Sequence, residues 1–147
     1  MARPIAYLTR KETISCCHRL HSFLNKPHFV LVCIIFPLTH NASFLLQFPF
    51  IIVEVTVRGP VSPTTGMVLN ISELKLYMKK VLMDQLDHKN LDKDVPYFEN
   101  VVSTTENLAI YIFNELKNIM LNPDLLYEVK IFETPNNIVV YKGEYQS

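Results

Sequence analysis

Val53-Glu54-Val55-Thr56-Val57-Arg58 alternates valine with polar residues. A period of two is the signature of a strand with one buried face, because successive side chains of an extended chain point to opposite sides. Gly59-Pro60 stops the run, and Pro63-Thr64-Thr65-Gly66 reads as a turn. Asn70-Ile71-Ser72-Glu73 then pairs an N-cap side chain with a carboxylate at the third helical position, so a helix is expected to start there. Ile71, Leu74, Met78, Val81 and Leu82 recur at spacings of three, four and seven, while Lys75, Lys79 and Lys80 lie mostly off that stripe. The helix therefore packs one face and wets the other.

Further along, Ser103-Thr104-Thr105-Glu106 opens a second helix. Leu108, Ile112, Leu116 and Ile119 form its apolar stripe, Ala109, Phe113 and Met120 widen it, and Asn122-Pro123 ends it. Leu125 to Thr134 and Ile138 to Lys142 read as two strands joined by the short turn Pro135-Asn136-Asn137, an antiparallel hairpin. With a further strand placed near Thr13 to Arg19, the element order is ββααββ. That order predicts an α+β fold, a four-stranded antiparallel sheet with two helices on one face.

The chain has 147 residues, the size of one ordinary domain, and its formal charge is zero. A balanced charge lacks the electrostatic footprint of a nucleic-acid binder, so nucleic acid is not an expected partner. Cys16, Cys17 and Cys33 form no C-x-x-C unit, and the start of the chain shows no secretory pattern. A reduced, cytoplasmic protein is the expectation. Pro27 to Val53 contains no Lys, Arg, Asp or Glu, which raises the question of a membrane span. Phe29 to Phe36 is too short against the ~20 residues a span needs, and Pro37, His40, Asn41, Gln47 and Pro49 interrupt the stretch after it, so a membrane partner is not expected.

Three clusters are candidates for chemistry. Asp87-His88 comes after the first helix, where the pair either caps the local turn or orients an imidazole for proton transfer. Glu106 fits a capping box with Ser103, so Thr104, Thr105 and Glu106 either serve the helix start alone or also border a ligand. Counting by twos puts Glu133 in phase with Tyr127, Val129 and Ile131 on the apolar face, where a carboxylate needs a partner.

Leu86-Asp87-His88-Lys89-Asn90-Leu91-Asp92, Val101-Val102-Ser103-Thr104-Thr105-Glu106-Asn107, Pro63-Thr64-Thr65-Gly66-Met67-Val68 and Asn136-Asn137-Ile138-Val139-Val140-Tyr141, with Glu133, closely resemble the 6-pyruvoyltetrahydropterin synthase family. The resemblance runs from about Val53 to Glu144, with a fragment near His18. It implies a single pterin synthase-like domain over 1–147 with the tunnelling fold, whose subunits join sheets into a barrel in a homohexamer. It also implies an enzyme of tetrahydrobiopterin biosynthesis, a carbon-oxygen lyase that eliminates triphosphate from 7,8-dihydroneopterin triphosphate. Asp87 and His88 would relay a proton, Glu133 would anchor the pterin, and Thr104, Thr105 and Glu106 would border its pocket. The implied cofactor is zinc on three histidines. His18 matches the first of these, but Gln47 and Pro49 fall where the other two belong, and Cys33 is out of register with the family's catalytic cysteine. Residues 23–52 thus read as a divergent apolar segment in place of the metal segment. Two other readings are a non-catalytic assembly subunit without the zinc site and a related pterin enzyme forming a 6-carboxytetrahydropterin.

Overall fold

The computed structural model describes residues 1–17 and 50–147. Strands β1 (Ile5–Ser15), β2 (Phe50–Pro60), β3 (Leu126–Phe132) and β4 (Ile138–Tyr141) form one antiparallel sheet in the order β1-β2-β3-β4. Between β2 and β3 come helix α1 (Ile71–Met78), a π-helical turn over Lys79–Met83, the short α2 (Leu91–Asp94), a 3-10 turn over Pro96–Glu99 and the long α3 (Thr105–Ile119). The expected α+β class, strand count and helix-on-sheet layering hold.

Valine alternation decides which face is covered. Val53, Val55 and Val57 are fully buried, while Ile52 and Arg58 stay exposed on the other side. Leu74, Met78 and Leu82 from the first helical segment and Leu108, Ile112 and Leu116 from α3 cover that valine face in one hydrophobic cluster. Each such Leu, Ile or Met contributes roughly 1.5–3 kcal/mol on burial. α1 starts as expected, with the Asn70 side chain accepting from the Ser72 N–H at 2.9 Å.

Three expectations need correction. The first strand spans Ile5–Ser15, beginning well before the expected Thr13, and pairs with β2 from Ile5↔Pro60 to Ser15↔Phe50, while His18 and Arg19 of the expected strand lie outside the described residues. Arg10 and Glu12 occupy positions on its helix-side face, paired with Val55 and Val53, and their 2.6 Å ion pair lets an edge strand carry charge there. That charge hides the period of two. Secondly, β2 begins at Phe50, so residues 50–52 of the divergent segment belong to the sheet. Thirdly, a register shift at Thr56/Val57 puts Leu126, not Tyr127, into the core with Val129 and Ile131. Tyr127 instead meets the ring of Tyr7 edge-on at 5.2 Å.

Candidate active site at one end of the sheet

The C-terminal end of β1 builds the first part of the site. α1 does not stop cleanly but widens into the π turn, and the Asp87 N–H reaches back to the Leu82 carbonyl, five residues away. Such turns shift the register of the residues after them. The Asp87 carboxylate consequently faces the strand, where its Oδ1 accepts the Ser15 N–H at 2.8 Å. His88 adopts φ 56, a left-handed conformation uncommon for a residue with a Cβ, and its N–H donates to the Ser15 carbonyl. The loop is fixed further by Cys17, which donates to the Lys89 carbonyl at 3.1 Å and accepts from the Leu91 N–H at 2.8 Å.

Asp87 and His88 are paired as the proton-transfer reading requires: Nδ1 lies 2.8 Å from Asp87 Oδ2. An ionised carboxylate only accepts, so Nδ1 carries the proton and Nε2 of the neutral ring keeps a lone pair. Burial opposes ionisation of Asp87, but the Ser15 N–H and the His88 ring outweigh it and hold the carboxyl below its ordinary value of 3.8. The His88 side chain is 73% exposed, so the ring faces outward from a fixed base. Cys16 beside it is fully buried, and burial, then Cys17 and Asp87, push its thiol up to about 12. It is a packed thiol, not a poised thiolate.

Glu133 sits one residue beyond the pair Ile52↔Phe132, beside Ile51, which pairs in turn with Ile14. Two strand spacings, roughly 10 Å, therefore separate the Glu133 backbone from the end of β1 that holds Asp87. Its N–H donates to the Asn137 carbonyl at 3.0 Å, which fixes it at the mouth of the hairpin. It follows β3 in a bend and is half-buried.

The threonine cluster differs from the expected capping box. Thr104, not Ser103, is the N-cap of α3, accepting from the Asn107 N–H at 3.2 Å, and Glu106 is exposed. Ser103 is 1% exposed and donates to Asp92 Oδ1 at 2.7 Å. This contact links two clusters that the sequence presents separately. The T-x-x-N pattern beside S-x-x-E was the available signal for the cap, while nothing in the spacing announced the Ser103–Asp92 bond.

Comparison with known proteins shows the family. The 6-pyruvoyl tetrahydropterin synthase pattern matches residues 51–144. The chain belongs to the 6-pyruvoyl tetrahydropterin synthase family. It is 52% identical to the 6-pyruvoyl tetrahydrobiopterin synthase of Drosophila melanogaster over 97% of this chain and 83% of that one. Against the Homo sapiens 6-pyruvoyl tetrahydrobiopterin synthase it is 60% identical over 63% of each chain. The Caenorhabditis elegans 6-pyruvoyl tetrahydropterin synthase structure superposes with a TM-score of 0.78 at 39% identity, covering 98% of this chain and 100% of that one. The protein is thus a homologue of the lyases of tetrahydrobiopterin synthesis.

Zinc is the cofactor expected from the family resemblance. Among the described residues no three His, Cys, Asp or Glu side chains gather to hold a metal. His18, Cys33, Gln47 and Pro49 lie outside the described residues. Proline has no donor atom for a metal, and glutamine offers only a neutral amide in place of an imidazole. In the register that the sequence resemblance implies, Gln47 and Pro49 would leave a three-histidine zinc site two ligands short. Among the described residues no helix is long and apolar enough to cross a membrane.

Proposed function

We propose that this chain serves tetrahydrobiopterin synthesis as a 6-pyruvoyltetrahydropterin synthase-type protein whose ligand is 7,8-dihydroneopterin triphosphate. The supporting observation is the Asp87–His88 pair, held by Ser15 at the same sheet end as Glu133. Glu133 would accept the ring amide N–H and the exocyclic amine of the pterin together, a side-by-side donor pair that suits one carboxylate. Thr104, Thr105 and Glu106 would border the ring. His88 Nε2 would take a proton from the substrate's side chain, with Asp87 stabilising the imidazolium that forms. Elimination of triphosphate is the overall reaction of this reading, in a cytoplasmic homo-oligomer of the family's hexameric kind.

Gln47 and Pro49 favour a second reading. A chain with the pterin anchor and the proton pair but without the metal histidines would bind the ring and join an assembly without releasing triphosphate. Triphosphate release and zinc content of the purified chain separate the two, measured beside a variant carrying Gln47→His and Pro49→His with a cysteine restored upstream. Release with bound zinc supports the synthase. Pterin binding without release, restored in the variant, supports the assembly subunit. No pterin binding in either protein contradicts both.

A further inference from the structure

We propose that Ser103 and Asp92 form a positioning clasp that holds the head of α3 and the Asp87–Leu91 loop in one fixed relation. The proposal rests on the pterin reading above for its functional meaning. Ser103 is buried and its hydroxyl donates to Asp92 Oδ1 at 2.7 Å across eleven residues of chain. On one side, Ser103 immediately precedes the N-cap Thr104 and the buried Thr105. On the other, Asp92 opens α2, and its N–H is capped by Asn90 Oδ1 at 3.1 Å. Asn90 and Leu91 continue directly into the loop, with the Asn90 N–H donating to Asp94 Oδ2 at 2.8 Å and the Leu91 N–H to the Cys17 carbonyl at 2.8 Å. Hydrogen bonds and the short stretches of chain between them therefore link the threonines to the base of the Asp87–His88 pair.

Apolar packing alone would hold these segments together, but it does not fix their spacing. An O–H to carboxylate bond does, because it is short, angle-dependent and strengthened by charge. α2 itself has only four residues and little stability of its own, so its placement depends on such outside bonds. Ser103 and Asp92 are positioning residues: neither is assigned contact with the substrate, and both set where the groups that are assigned it stand.

Backbone amide exchange and neopterin fluorescence titration of the unmodified chain, Ser103→Ala and Asp92→Asn test the clasp. In Ser103→Ala the His88 and Leu91 amides are expected to exchange about tenfold faster while the β2 amides do not change, with a comparable loss of neopterin affinity, the factor a charge-assisted hydrogen bond is worth. Asp92→Asn keeps an acceptor without the charge and is expected to show about half of that effect on a logarithmic scale. Loop and β2 exchange rising together would show a merely structural role and overturn the proposal. So would a loosened loop with unaltered neopterin affinity, or a loop that ignores Ser103→Ala while pterin binds normally. Absence of neopterin binding in the unmodified chain overturns the pterin reading and the ligand half of the clasp with it.

Discussion

Asp87 is the residue on which the site's electrostatics turn. Its carboxyl is held below the ordinary 3.8, so the folded state binds the proton less readily than the unfolded chain. The stabilisation is present above the unfolded value and is lost as pH falls through the folded one. Asp87→Asn keeps an acceptor for Ser15 but not the charge opposite His88. Urea midpoints of the two proteins are therefore expected to differ at pH 6 and to converge as pH falls below the folded value of Asp87. Cys16 makes a second residue-scale prediction. Buried and raised to about 12, it is expected to resist thiol reagents at pH 8 in the folded chain and to react once urea unfolds it. Rapid labelling of Cys16 in the folded state would contradict its placement. Asp87 and His88 became candidates through the family-like string Leu86 to Asp92, since the residues alone left a capping reading open, and Glu133 through its phase with an apolar strand face. Ser15 was not legible, because it acts through its backbone N–H and carbonyl, which any residue carries.

Among the elements, α3 and β2 were readable because their apolar periods are unbroken, and β1 was not. Arg10 and Glu12 stand on its helix-side face and satisfy each other, so the alternation that identifies a half-buried strand is missing for most of its length. The π turn was equally hidden, since one extra residue in a turn leaves the apolar stripe nearly unaltered while rotating the chain beyond it. The cap of α3 gives an element-scale test. Thr104→Ala removes the acceptor of the Asn107 N–H and is expected to cost about 1 kcal/mol in chemical denaturation, with the Ser103–Asp92 bond left in place. At the other end of the fold, Gly143 has φ +76 and a Cβ there would lie 2.8 Å from the Phe113 ring. Gly143→Ala is expected to destabilise by about 1–3 kcal/mol in the same measurement, because the backbone and the ring both have to shift. A neutral result would mean that the tail does not lie against α3.

On the scale of the whole molecule, the described helices cover one face of the sheet, and among the described residues the other face is open. Ile52, Ile138 and Val140 are 40–48% exposed on the open side, and β1 and β4 are both unpaired edges among the described residues. Apolar surface and open edges of this kind are what the proposed assembly between copies would cover. Sedimentation is expected to give a species well above the 17.1 kDa of one chain, and Ile138→Lys to shift it toward the monomer. A monomeric unmodified chain would contradict the assembly reading. The proposed function depends most on Glu133 as pterin anchor, a contact that the proposal makes without a metal. Neopterin titration of the chelator-treated chain and of Glu133→Ala tests it most directly. Binding by the chelator-treated chain, weakened at least about tenfold in Glu133→Ala, is the predicted result. Equal affinity in the two proteins, or no binding in the first, would contradict it.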